Sequence, residues 1–225
     1  MNISLSNRLE TIKKLVPNKC VPADIGADHG YLICSLIIDG IVESGYAVEN
    51  KKGPFTHLNE TISLYSLNDK VYPLFSSGIR DLPDNVNTLI LAGMGSENII
   101  KILNERKDFL NHIDTIICDS HTNLFFLRNE MQKLGFFVKN EEIIKEKNIY
   151  YEIILFTRNS TIDYSSIELK YGPILLKHKP EIFIEKYSVY FAKLESILNK
   201  KISSQRKEDI LKEMKEIKEI IFQNL

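Results

Sequence analysis

VPADIGADHGYL, residues 21–32, is the stretch whose reading decides the fold. A short apolar entry runs into Gly26 and Gly30, and the YLICSLIIDGIV that follows carries apolar positions suited to a helix lying on a sheet. Strand, glycine loop and helix therefore follow in order. Upstream, Leu5, Leu9, Ile12 and Leu15 recur at helical spacing, which predicts an opening helix from about Asn2 to Val16, stopped by Pro17. Downstream, GYAVEN reads as a second strand ending at Glu49, and PFTHLNETISLYSL as a second helix with Pro54 in its first turn. VYPLFSSG is a third strand that Pro73 makes an edge or irregular one.

NTLILAGMGS has the unbroken apolar run of a central parallel strand buried on both faces. Next come a helix over ENIIKILNERKDFL, a buried strand DTIICDSH and a helix NLFFLRNEMQKLG closed by Gly135. FFVKNEEIIKEKNIYYEIILFTR then predicts two or three strands with a hairpin at Glu146 to Asn148. This alternation predicts an α/β fold, a Rossmann-like doubly wound parallel sheet with helices on both faces and an antiparallel end strand. After about Asn159 the pattern turns wholly helical. Ile210, Leu211, Met214, Ile217 and Ile221 recur at steps of three and four between alternating charges, which predicts a helical hairpin of coiled-coil type. The expected division is a sheet domain over 1–159 and a helical arm over 160–225.

The bulk numbers agree with one large domain plus an appendage: 225 residues, 44% hydrophobic and 26% charged. No apolar run is long enough to cross a bilayer and the start is polar, so a cytoplasmic protein is expected. Cys20, Cys34 and Cys118 form no CxxC pair, which argues against a disulfide framework or a zinc site and for three buried small hydrophobes. No metal is expected. A net charge of −1 does not advertise a polyanion partner, although it says nothing of how the cations are distributed.

In an open parallel sheet the ligand sits beyond the carboxyl ends of the strands. Those ends carry Asp24, Gly26, Asp28, His29 and Gly30; then Glu49; then Ser76, Ser77 and Gly78; then Gly93, Met94 and Gly95; then Asp119, Ser120 and His121. The first loop lacks the GxGxxG of a dinucleotide fold, which disfavours an NAD dehydrogenase. Its extra ionisable groups suit a ligand with an amino-acid end and no phosphate. Glu49, 25 positions after Asp24, stands where an acid can accept hydrogen bonds from both ribose hydroxyls. Together these features fit S-adenosylmethionine.

Taken in order, LSNRLETIKKLVP, ADIGADHGYL, ENKKGPF, LILAGMGS, LRNEMQKLGF and YGPILLKHKPEIFIEK resemble the bacterial tRNA (adenine(22)-N(1))-methyltransferase (TrmK) family over nearly the whole chain. The most specific pieces are DIGADHGYL, AGMG and YGPILLKHK. The resemblance implies a class I methyltransferase domain with a C-terminal coiled-coil-like arm, S-adenosylmethionine as methyl donor, and N1 of adenine 22 in tRNA as acceptor. It places Asp24, Gly26 and His29 around the methionine end of the cofactor, Glu49 on its ribose, and Gly93, Met94 and Gly95 on the methyl-transfer side. Asp28 and Tyr31 would orient the incoming base. Three positions depart from the family pattern. Ser76-Ser77-Gly78 replaces Gly-Asp-Gly, so the hydrogen bond to the cofactor adenine is remade by a hydroxyl or a backbone group near Ser77 and Gly78, or not at all. Asp119-Ser120-His121 replaces Gln-Pro-Asn, and Ser96 replaces a second glycine.

Adenine N1 carries a lone pair and needs no prior deprotonation, so alignment with the sulfonium methyl dominates catalysis. The methylated ring is cationic, and Asp28 and Asp119 are the candidates to stabilise it, with His29 or His121 able to take a proton afterwards. His57, His112 and His178 read as surface residues. For tRNA the arm offers Lys177, His178, Lys179, Lys186, Lys193, Lys200, Lys201, Arg206 and Lys207, interleaved with Tyr187 and Tyr190. A monomer or weak dimer is expected. The alternatives are a class I methyltransferase on another substrate, suggested by Asp119-Ser120-His121, and a non-catalytic RNA-binding relative, suggested by Ser77.

Overall fold

The computed structural model describes residues 3–158 and 162–222, so Asn2 and Asn159, two of the expected boundaries, lie outside the described residues. Its strands are β1 (Pro22–Ile25), β2 (Gly45–Glu49), β3 (Val71–Phe75), β4 (Thr88–Met94), β5 (Thr115–Ser120), β6 (Phe137–Glu146) and β7 (Ile149–Thr157). They form one sheet in the order β3-β2-β1-β4-β5-β7-β6. The first five pair in parallel, and β7 runs antiparallel to both its neighbours. The strand carrying Pro73 is at the edge, where a missing N–H costs no internal ladder bond. The hairpin turns at Lys147 and Asn148, both at positive φ.

Three helices cover one face: α1 (Asn7–Leu15), α2 (Tyr31–Ile38) and α3 (Lys52–Leu64). The other face carries α4 (Ser96–Asn104), a short 3-10 turn at Phe109–His112 and α5 (Leu124–Lys133). Alternation along the strands divides the core between them. Leu89, Leu91, Ile116 and Cys118 join the α4/α5 side, whereas Ile90 and Ile117 join the α1–α3 side. This double burial is why β4 reads as an unbroken apolar run. Cys20, Cys34 and Cys118 are all buried.

The opening helix begins later than its periodicity suggested. Ser6 caps it by accepting the Leu9 N–H at 3.3 Å, so the helix starts at Asn7. Helix α2 starts against Gly30, whose φ is +72° and whose missing side chain leaves room for Leu58 of α3. Gly30→Ala is therefore expected to destabilise the protein by about 1–3 kcal/mol, through a left-handed alanine and a methyl driven into Leu58. Urea unfolding of the two chains measures it.

The region expected to form the arm comprises α6 (Ser166–Tyr171), α7 (Pro173–His178), α8 (Glu181–Leu198) and α9 (Ser204–Phe222). Ile210, Ile217 and Ile221 pack with Phe183, Tyr187 and Leu194 in a cluster that reaches the sheet through Ile143 of β6. Leu211 does not join that stripe and is 48% exposed, because a neighbour in sequence is turned well off the buried face of a helix. Tyr187 is also a core residue rather than an exposed platform: it is buried against Tyr171 and Phe183. Among the described residues no helix is long and apolar enough to cross a membrane.

Candidate functional site

The strand order turns back between β1 and β4, and the carboxyl ends of β1, β2, β3 and β4 converge there on a cavity of about 410 Å³. Gly26, Glu49, Ser77, Gly78, Gly93 and Met94 all line it, so the topology gathers six of the expected cofactor residues in one place. Its volume lies within the range usual for small-molecule sites. The irregular pairing of β4 between Ala92 and Met94 falls at Gly93, which bends the strand end into the site.

Glu49 is 7% exposed, and backbone donors hold it in place. Its Oε1 accepts the N–H groups of Asn50 and Lys51 at 2.9 and 2.8 Å, and its Oε2 accepts that of Asp28 at 3.2 Å. The carboxylate is thereby oriented toward the cavity with acceptor capacity to spare, as a ribose diol requires. Asp24, 5% exposed, lines a smaller recess of about 120 Å³ together with Gly26, Asp28, His29, Tyr31 and Arg8. Burial lifts its pKa to about 7, with the Arg8 charge pulling it down and the Glu49 charge pushing it up. An acid so poised ionises readily when a cation arrives.

The remaining expected residues fall into distinct surroundings. Asp28, at φ +51°, keeps its side chain in solvent, 3.8 Å from His29 Nε2. The His29 ring stacks on both Tyr31 and His57, with centroids 5.6 and 4.9 Å away. Gly95 lies beside Thr122, whose Oγ1 would be 3.2 Å from an added Cβ. Ser76 donates to Asp81, while Ser77 lines the cavity with Asn98, Lys101 and Glu105. Glu105, which also pairs with Arg80, brings an acid close to Gly78, where the family pattern has one in the preceding loop.

Asp119 is not open to a substrate. It is fully buried, its Oδ2 receives Arg8 Nη1 at 2.6 Å, and its Oδ1 has no hydrogen-bond partner among the described residues. Arg8 was missed by sequence reasoning, because a cation on the polar face of an opening helix reads as solvated. The fold carries it over Tyr151, 5.5 Å from the ring centroid, and its Nη1 would lie 3.3 Å from a Cβ placed on Gly93. Only the packing of α1 onto the last strands reveals it. His121 is exposed, edge-on to Tyr151, and its Nε2 would stand 3.9 Å from that same Cβ. Among the described residues no group of His, Cys, Asp and Glu is placed to hold a metal ion.

The family model described as tRNA (adenine(22)-N(1))-methyltransferase matches residues 22–224. The chain is 26% identical to the Bacillus subtilis (strain 168) tRNA (adenine(22)-N(1))-methyltransferase over 228 residues, covering 97% of this chain and 96% of that protein. It is also similar to a Streptococcus pneumoniae protein solved in complex with S-adenosyl-L-methionine, with a TM-score of 0.90 at 26% identity over 97% of this chain and 100% of that one. A Streptococcus agalactiae structure described as a protein of the NADB-Rossmann superfamily superposes with a TM-score of 0.92 at 28% identity, covering 98% of this chain and 99% of that one. A match across nearly the whole chain, on a parallel sheet with an antiparallel end strand, leads to one conclusion: the chain belongs to the tRNA (adenine(22)-N(1))-methyltransferase family.

Proposed function

We propose that the chain performs its family's reaction through the two adjoining recesses at the switch point, with residues 1–159 as the cofactor domain and 160–225 as an arm that grips tRNA. The observation that carries this reading is the pairing of Glu49 and Asp24 on either side of Gly26, one set for a ribose diol and the other for an ammonium. S-adenosylmethionine, when bound, supplies an electrophilic methyl on sulfur. Glu49 would hold its ribose, Asp24 and Gly26 its methionine end, and Ser77, Gly78 and Glu105 the neighbourhood of its adenine.

Gly93, Met94 and Gly95 form the rim against which the acceptor base lies. N1 attacks with its own lone pair, so the residues here position and stabilise rather than remove a proton first. Asp28 has an exposed carboxylate to offset the positive charge that develops on the ring, and His29 beside it can take a proton afterwards. Asp119 acts at one remove, as the residue that positions Arg8 at the rim. On the arm, Lys193, Lys200, Lys201, Arg206 and Lys207 are exposed for a phosphate backbone, whereas Lys186 is held by Glu152. The protein works in the cytoplasm as a monomer or weak dimer.

Incubating the chain with unmodified tRNA and S-adenosylmethionine, then mapping methylated adenine by mass spectrometry and primer extension, tests the reading. The expected result is 1-methyladenosine at position 22 and none in a tRNA with guanine there. Cofactor binding without any tRNA product would overturn it.

A further inference from the structure

A second large hollow, about 500 Å³, opens between the loop after β5 and the arm, outside the cofactor site. Phe125, 42% exposed at the start of α5, stands on one rim, with Tyr150 and Tyr190 also lining the cavity. Buried Tyr171 and Tyr187 line it as well. Its cations are unequal. Lys170 is neutralised by Glu213 and Glu216 and Lys186 by Glu152, whereas Lys193 has no carboxylate at ion-pair distance among the described residues.

The hollow adjoins the methyl-transfer rim. His121 and Thr122 line it, and these are the residues that an added Cβ on Gly93 or Gly95 would approach at 3.9 and 3.2 Å. Aromatic faces with one free ammonium at the edge are the chemistry of a stacked base and its phosphate. An adenine drawn out of a folded RNA to the rim leaves the base beside it unstacked, at a cost that a protein can offset by stacking that base itself. We propose that this cavity takes a second nucleotide of the tRNA, one flanking the methylated adenine, with its base on Phe125 and Tyr190 and its phosphate at Lys193. The proposal rests on the tRNA reading above.

The test uses the full chain and unmodified tRNA transcript. Phe125→Ala and Lys193→Ala alter exposed side chains, so neither should unfold the protein. Each is expected to raise KM for tRNA, Phe125→Ala by about tenfold, with kcat within about twofold of the parent and S-adenosylmethionine affinity unchanged. Tyr72→Ala, an exposed aromatic on the far edge strand, is the control that should change nothing. In parallel, p-benzoylphenylalanine at position 125 is expected to cross-link to a nucleotide adjoining adenine 22. Unchanged KM in both variants would overturn the proposal. So would a cross-link to adenine 22 itself, which would make this the acceptor pocket, or one confined to distant nucleotides. Failure of the functional reading shows separately, as an unmodified chain that yields no 1-methyladenosine, and the cross-link remains readable in that case.

Discussion

Replacing Asp24 by asparagine is expected to weaken S-adenosylmethionine binding by about 10- to 100-fold and to flatten its pH dependence. Burial raises this carboxyl from 3.8 to about 7, opposed by Arg8 and reinforced by Glu49. The folded chain therefore keeps a proton that the unfolded chain releases. The stability contributed by the neutral acid is complete below 3.8 and is lost as the pH rises through about 7. A ligand ammonium selects the ionised form, so affinity climbs by up to about tenfold per pH unit below 7 and levels off above it. Asparagine has no proton to give up and no charge to offer. Titration calorimetry at about pH 6, 7 and 8, in buffers of different ionisation enthalpy, reads both the affinity and the proton released. Equal affinities and equal slopes in the two chains would mean that the ammonium is held elsewhere, and that Glu49 carries recognition alone.

The parts of this molecule that were legible in the sequence are those that depend on local pattern. The doubly buried strands showed as unbroken apolar runs, the edge strand showed through Pro73, and the glycine loops marked the strand ends that line the cavity. Glu49 was readable because the length of a βαβ unit fixes where the second strand ends. What stayed hidden depends on contacts distant in sequence. Arg8 meets Asp119 across 111 residues, and no periodicity announces that meeting. The same contact changes the reading of Asp119, which looked like a group facing the base and is a buried anchor. Tyr187 and Lys186 sat convincingly in a basic, aromatic helix, yet the packing of α8 turns one into the arm's core and ties the other to Glu152. Charge along a helix gives composition; only the fold says which charges are already spent.

Arg128→Met is expected to lower stability by about 3–5 kcal/mol, and to weaken tRNA binding while S-adenosylmethionine binding persists. The guanidinium is wholly buried. Its Nε donates to Glu141 Oε1 and its Nη2 to Glu152 Oε2, both at 2.7 Å, and its Nη1 donates to the Leu169 carbonyl at 3.1 Å. Glu141 in turn accepts the N–H groups of Ile174 and Leu175 at the start of α7, and Glu152 receives Lys186 from α8. One side chain on α5 thus joins the terminal hairpin to three helices of the arm. The junction glycine belongs to the same device. Gly172, at φ +90°, brings the backbone so close that an added Cβ would be 2.8 Å from Arg128 Nη2, which gives the YGPILLKHK stretch a physical reason. Burial alone would push Glu152 up, yet Lys186 and Arg128 hold it below the usual carboxylate range. Methionine would leave two carboxylates buried with too little positive charge, and the arm's footing would loosen. Adding Glu141→Gln to Arg128→Met should recover part of the loss, because the carboxylate that remains, Glu152, is still paired with Lys186 and the cluster is neutral as a whole. Urea unfolding, paired with separate titrations of cofactor and tRNA, distinguishes the outcomes. A loss under about 1 kcal/mol would show that the carboxylates reach water once Arg128 is gone, and that the arm is held by its apolar cluster instead.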